Sequence, residues 1–249
     1  MSTTANAQAN KPVSLGANVF VGFMAACAAA TLASAAYGVQ SWHRWEFLSL
    51  LALATLTARL KLKLPGVNGN MSVSLPFILI AVTKLSLLEA VLVAGVSVFI
   101  QSIPKSPHRF RMIHALFNMS TGMLATGLGW NTFHLLLRFH FNSALALVSG
   151  CAVQFLVSTV PIAAILSLAE NANPFRSWNE IVNLSFPYYL ASTGLASIAS
   201  AAGEHSSLPM LVGMSLIMAV TYRSYRLYFG MVSGSSAFPM KVQSAAAAK

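Results

Sequence analysis

The sequence predicts an all-α protein, a polytopic integral membrane helical bundle of about eight segments that includes one short helical hairpin. Three observations predict it. The 249 residues are 56% hydrophobic and only 8% charged, with a mean hydropathy of +0.68, whereas roughly a quarter of a soluble domain is charged. Apolar runs close to the length of a membrane-crossing helix, about 20 residues, recur along the chain. Clusters of Lys and Arg recur between alternate pairs of these runs.

The first half of the chain contains four predicted segments. Residues 19–39 form an uninterrupted apolar run, and residues 45–58 form a shorter one with tryptophans at its start. The apolar tract 73–103 is too long for one crossing and short for two. It therefore predicts a tight hairpin, with a short helix over 74–83 and a fuller helix over 86–103. Lys84 and Glu89, near the turn of this hairpin, are expected to form a local pair.

The second half contains four more segments and completes one domain. The predicted segments are 113–130, 144–169, 181–202 and 208–222. No fixed-period repeat or long polar linker divides them. The predicted division is a disordered cytoplasmic leader over 1–17, a single transmembrane helical domain over 18–230, and a weakly ordered cytoplasmic tail over 231–249.

The basic residues predict the orientation of the bundle. If the amino terminus is cytoplasmic and each segment crosses once, twelve of the fifteen Lys and Arg residues fall inside, and only Arg44, Lys84 and Arg138 fall outside. This is the asymmetry that the positive-inside rule describes. The chain is therefore expected in the inner (plasma) membrane, multi-pass, with both termini in the cytoplasm. The basic residues assigned to topology and lipid headgroups are Arg59, Lys61, Lys63, Lys105, Arg109, Arg111, Arg223 and Arg226.

An alternative remains open for the first segment. Residues 15–32, followed by Ala33, Ser34 and Ala35, have the apolar stretch and small residues of a cleaved signal peptide. The leader has a single lysine, Lys11, and the apolar run is long for such a peptide. The topology of the remaining segments is the same in either case.

Small residues predict which helices lie at the centre of the bundle, because close helix approach in lipid depends on them. The first segment has two such stripes, and the seventh repeats the pattern. The stripe residues are Ala25, Ala29, Ala33, Ala26, Ala30 and Ser34 in the first segment, and Ser192, Ala196, Ser200, Thr193, Ser197 and Ala201 in the seventh. Both helices are expected to be central.

No catalytic motif is present, and the protein is expected not to be an enzyme. The sequence lacks the metalloprotease, nucleophile-elbow, phosphate-loop and dinucleotide-binding signatures. Only five acidic residues are present, and five of the six histidines lie at predicted helix ends or in loops. No catalytic residue, metal site or cofactor is therefore predicted. Nucleic-acid binding is not expected either, because no soluble domain accompanies the basic clusters.

Polar residues within apolar spans are costly, and they predict a ligand site between helices. In the fifth and sixth segments they recur at spacings of three and four residues, which places them on one helix face. The predicted ligand-binding residues are His114, Asn118, Thr121, Gln154, Ser158, Asn183, Tyr188 and Tyr189. The alternative is that they tie helices together by hydrogen bonds. Pro161 is expected to kink the sixth segment.

The order of several short motifs resembles a known family. The motifs are Leu-Lys-Leu-Pro-Gly at 62–66, Met-Ser-Val-Ser-Leu-Pro-Phe at 71–77, Leu-Phe-Asn at 116–118 and Ser-Phe-Pro-Tyr-Tyr-Leu at 185–190. Together they resemble the multi-span membrane region of bacterial cyclic-di-GMP signalling proteins, which end in HD-type phosphodiesterase or diguanylate cyclase domains. The resemblance spans roughly residues 45–205 and implies a sensory input region with a pocket around Asn118 and residues 187–189. The His-Asp and Gly-Gly-Asp/Glu-Glu-Phe motifs of those output domains are absent from this sequence.

The function expected from these observations is a stand-alone sensory or ligand-binding membrane domain that acts through a separate partner. Membrane lipids, a cytoplasmic or membrane signalling partner, and a second copy of the chain are the expected partners. Two alternatives remain. One is a small transporter or a substrate-binding subunit of a transporter, because discontinuous helices often line transport sites. The other is a structural subunit of a larger membrane complex.

Overall fold

The structure is a computed structural model that describes residues 15–38, 43–63, 70–103, 112–170 and 173–201, together with 213, 216, 217, 220, 223 and 224. Seven helices have described bounds, and they are α1 (Leu15–Tyr37), α2 (Arg44–Ala58), α3 (Leu75–Lys84), α4 (Leu87–Ser102), α5 (Met112–Arg138), α6 (Ser143–Glu170) and α7 (Pro174–Ala201). Two short strands, β1 (Lys61–Lys63) and β2 (Asn70–Ser72), pair antiparallel between α2 and α3.

The all-helical prediction is confirmed apart from this short strand pair, which the sequence did not predict. The predicted hairpin is also found, since α3 and α4 begin and end within about a residue of the expected bounds. Residues 1–14 of the predicted leader, the predicted tail and most of the eighth segment, 208–222, lie outside the described residues. Residues 15–17, which were predicted to belong to the disordered leader, form the start of α1 instead.

Successive helices run in opposite directions. Asn118 of α5 bonds Ser102 at the end of α4, and Gly129 of α5 contacts Gly150 near the start of α6. In turn, Cys151 of α6 meets Thr193 late in α7. We call the end that carries the two strands the β end, and the opposite end, where Leu85 and Ser86 join α3 to α4, the turn end.

Helix α3 is the buried centre of the described bundle. Every residue from Leu75 to Val82 is buried, and the helix packs among α2, α4, α5 and α7. With ten residues it is about 15 Å long, half the thickness of a hydrocarbon core. Pro76 lies in the first turn, where its missing N–H removes no helical hydrogen bond. The helix ends where Leu85 turns extended.

The outward face of α6 is apolar. Helices α1 and α6 are long and apolar enough to cross a membrane, and α3 and α4 are shorter apolar helices. Four side chains of α6 are about half exposed, at successive spacings of three, eight and four residues: Leu145, Val148, Leu156 and Val160. Such spacing places them on one outward helix face.

The small-residue stripes differ between the two helices that carry them. On α7, Ser192 and Ala196 are buried and the helix packs against α3. On α1 the prediction is wrong, because five of the six stripe residues are exposed and Ala25 is partly buried. The reason is that α1 packs on the bundle through a different face, which includes Val21, Met24 and Ala28.

Candidate functional site

Polar side chains of α6 form a seam between α5 and α7. We call Cys151, Gln154, Ser158 and Thr159 the polar seam. Their spacings of three, four and one residues keep them on one side of α6. Each contacts a polar group of a neighbouring helix. The seam therefore contains two of the predicted ligand-binding residues, Gln154 and Ser158.

A close approach of two glycines holds α5 against α6 at the seam. A Cβ atom added to Gly150 would lie 2.8 Å from the carbonyl oxygen of Gly129, and one added to Gly129 would lie 3.0 Å from the carbonyl oxygen of Gly150. A Cβ atom essentially never lies within 3.0 Å of another heavy atom, so an alanine at Gly150 would require a shift of the backbone. The approach brings the Gln154 amide onto α5, where its nitrogen donates to the Thr126 hydroxyl at 3.4 Å.

Two buried polar atoms at α5 and α6 have no hydrogen-bond partner among the described residues. They are the Gln154 amide oxygen and the Thr121 hydroxyl oxygen. If the Gln154 amide were rotated so that its oxygen and nitrogen changed places, the nitrogen would lack a partner in place of the oxygen. An unsatisfied buried polar group costs about 1–3 kcal/mol, so these atoms mark unused hydrogen-bonding capacity.

On its other side the seam meets aromatic residues of α7. The Ser158 hydroxyl and the Tyr189 hydroxyl are 2.8 Å apart, and Trp178 donates to the Thr159 hydroxyl at 3.3 Å. The Phe155 ring meets the Tyr189 ring edge to face, with centroids 4.8 Å apart. This side of the seam therefore combines apolar rings with hydroxyl groups.

Four of the other predicted ligand-binding residues do not contact the polar seam at a bond that the structure shows; three of them lie on the surface and one in the apolar core. His114, Asn118 and Asn183 are exposed, within about ten residues of the β-end starts of α5 and α7. Asn118 donates to Ser102 of α4 at 3.4 Å. Tyr188 is buried in the same apolar cluster as α3. The structure therefore brings Ser158 and Tyr189 into contact and leaves three of the eight on the surface.

The residues assigned to topology are only partly described. Arg59 is exposed at the β end, Lys61 and Lys63 lie in β1, and Arg223 is exposed. Lys105, Arg109, Arg111 and Arg226 lie outside the described residues.

The turn end contains a second polar cluster that the sequence analysis did not assign. Glu89 caps the start of α4 together with Ser86 and reaches the backbone of His43. The sequence does contain a signal for it, because Ser-x-x-Glu before an apolar run is a capping box. Beside this cluster the Trp130 ring stacks on the His134 ring, with centroids 3.7 Å apart. Burial lowers the pKa of His134 below its ordinary value.

Among the described residues, no group of three or more His, Cys, Asp or Glu side chains has the arrangement of a metal site. Comparison with protein-family models, with curated proteins and with solved structures finds no match.

Proposed function

We propose that this chain is a multi-pass protein of the bacterial inner membrane, with both termini cytoplasmic, that binds a small amphiphilic ligand within its helices. In this proposal it is not an enzyme, and it signals the bound state to a separate partner. The apolar outward face of α6, and the length and composition of α1 and α6, support the membrane assignment, because soluble monomers rarely expose large contiguous apolar areas.

The charges support the proposed orientation. Arg59 and Arg176 are exposed at the β end. The strand β1, whose sequence is Lys-Leu-Lys, lies at the same end. The turn end carries Arg44, Lys84 and Arg138, the three residues that the positive-inside assignment leaves outside. The β end is therefore the proposed cytoplasmic end.

The observation that carries the ligand proposal is the unpartnered amide oxygen of Gln154. Within a membrane a polar atom has no water to compensate it, so its retention indicates a use. A ligand with a hydrogen-bond donor would satisfy this oxygen, and an apolar part would pack on rings such as Phe155. A shift of α6 against α7 would then break or form the Ser158–Tyr189 contact, which is the proposed route to the partner.

A transport function is the second candidate, and α3 favours it. This helix is half as long as a membrane crossing and is enclosed by other helices. Short or discontinuous helices of this kind line the binding sites of many transporters.

The ligand proposal is tested by native mass spectrometry of the full chain purified in lipid nanodiscs from its host membrane. We expect the wild type to retain a small non-lipid molecule and the Gln154→Leu variant to lose it. The ligand-free Gln154→Leu protein should be at least as stable as the wild type, because removing the unpaired amide oxygen offsets the loss of the long bond to Thr126.

The matched control is Asn183→Leu, which changes an exposed polar residue of α7 to the same side chain. This variant should retain the molecule. Equal retention by the wild type and Gln154→Leu would contradict the ligand site. Uptake of the identified molecule into proteoliposomes would favour transport over sensing.

A further inference from the structure

Glu89 is the one buried side chain among the charged side chains that the structure describes. Its exposed fraction is 0%, and it lies in the first turn of α4 at the turn end. A buried carboxylate is strongly unfavourable unless it is hydrogen-bonded. The groups that bond it therefore show what it holds together.

Three donors satisfy the Glu89 carboxylate. The backbone N–H of His43 donates to one oxygen at 2.8 Å. The backbone N–H and the hydroxyl of Ser86 donate to the other oxygen at 3.0 and 2.7 Å. The imidazole Nδ1 of His43 lies 3.8 Å from the same oxygen. The carboxylate of Glu89 thus connects the backbone at Ser86 to that of His43, which is 46 residues from Glu89 in the sequence.

Both segments are the starts of helices. His43 immediately precedes α2, and its own side chain makes no capping hydrogen bond there. Ser86 immediately precedes α4 and caps it in a reciprocal pair with Glu89. The partial positive charges at the two helix starts favour a negative group between them. Glu89 therefore joins the start of α2 to the start of α4.

The α3–α4 turn that Glu89 binds is tight. Leu85 ends α3 and Ser86 begins α4, so no free linker separates the two helices. The Trp130 indole N–H of α5 donates to the carbonyl oxygen of Leu85 at 3.0 Å. The α3–α4 turn is therefore attached to α5 through Trp130 and to α2 through Glu89.

We propose that Glu89 is a conformational latch, which keeps the turn end of α2 closed over the buried helix α3. The latch is a local device. Its release frees the start of α2 from the α3–α4 turn while the Trp130 bond still attaches that turn to α5. Opening at this end would expose the outer end of α3 without disturbing the packing of α7 on α3.

The test is hydrogen–deuterium exchange of the full chain in lipid nanodiscs, with peptides resolved by mass spectrometry. In Glu89→Ala, backbone exchange in the first turns of α2 should rise by about tenfold or more, the scale expected when a charged group loses its hydrogen bonds. Exchange in the α7 region around Ala196 should stay at the wild-type rate. Glu89→Gln should give an intermediate increase, because its amide oxygen still accepts the His43 bond.

The matched control is Glu46→Gln, which neutralises an exposed acid in the first turn of the same helix and should raise exchange by a few fold at most, because an exposed charge at a helix start is only weakly stabilising. If Glu89→Ala does not fold, Glu89→Gln and Ser86→Ala carry the same comparison. Unchanged exchange at α2 in the folded variants would overturn the proposal. An equal increase in every helix would also overturn it, since Glu89 would then stabilise the whole bundle rather than one contact.

Discussion

At the residue scale, the buried polar groups of this protein differ in how completely they are hydrogen-bonded. The Glu89 carboxylate has three donors, whereas the Gln154 amide oxygen and the Thr121 hydroxyl have none among the described residues. A satisfied buried group rigidifies its surroundings, and an unsatisfied one has capacity for a further partner. This difference is why we assign a closing role to Glu89 and a binding role to Gln154.

The partly buried His134 predicts how the stability of the protein changes with pH. Because burial lowers its pKa in the folded state, the unfolded chain takes up a proton first as the pH falls. The contribution of the neutral His134 to the free energy of unfolding is therefore fully present above the ordinary histidine pKa of 6.5, and it is lost as the pH falls below that value. Thermal unfolding measured between pH 7.5 and 5 should show this loss in the wild type and less of it in His134→Phe.

The control for this measurement is His140→Asn. His140 is exposed and has a positive φ of 57°, a conformation that asparagine adopts readily. This variant should lose stability on acidification as the wild type does. An identical loss in His134→Phe would contradict the prediction.

Polar residues that interrupt an apolar span are the signal by which the sequence predicted part of the site. Gln154 and Ser158 stood out for that reason, and both lie in the polar seam. His114 and Asn118 stood out in the same way, but they lie near the β-end start of α5, where a polar side chain reaches the surface. Glu89 was expected to pair with Lys84, and the bonds that the structure shows at its carboxylate come from Ser86 and His43. The His43 contact joins distant segments, and no local pattern encodes it.

At the scale of helices, the crossing of α5 and α6 depends on its two glycines. Gly150→Ala should destabilise the protein by about 1–3 kcal/mol, because the added methyl group meets the rigid Gly129 backbone. The measurement is the free energy of unfolding in detergent by a reversible denaturant.

Gly194→Ala is the matched control in α7, since nothing lies within 4 Å of a Cβ added there. It should stabilise the protein by up to about 1 kcal/mol through helix propensity alone. If both variants stabilised the protein equally, the close approach of α5 and α6 would not be a determinant of packing.

The sequence predicted the number and order of the described helices, but not all of their bounds or neighbours. Helix α5 continues to Arg138 where the prediction ended at 130, and α7 begins at Pro174 where the prediction began at 181. The lengths of apolar runs and a turn signal are local, so the α3–α4 hairpin was found almost residue by residue. Which face of a helix packs inward depends on its partners. The same small-residue pattern therefore lies inside on α7 and largely outside on α1. The strands β1 and β2 were missed because a three-residue strand is too short to show an alternating pattern.

At the scale of the whole molecule, the proposed orientation makes a direct prediction. Reporter fusions inserted after Arg138, at the turn end, should be active only when the reporter requires the periplasm. Fusions after Glu170, at the β end, should be active only with a reporter that requires the cytoplasm. The reverse pattern would contradict the orientation. If the same reporter were active at both positions, the two ends of α6 would lie on one side of the membrane, which would contradict its crossing.

The half-length helix α3 also constrains how the protein is made. With ten residues it is too short to be inserted into a bilayer as a crossing segment by itself, so it must enter together with α4. Its enclosure is complete only when α7, which is synthesised much later, packs against it. Until then its apolar sides are open to other chains, and this nascent stage is the one most exposed to misassembly and to quality-control proteolysis.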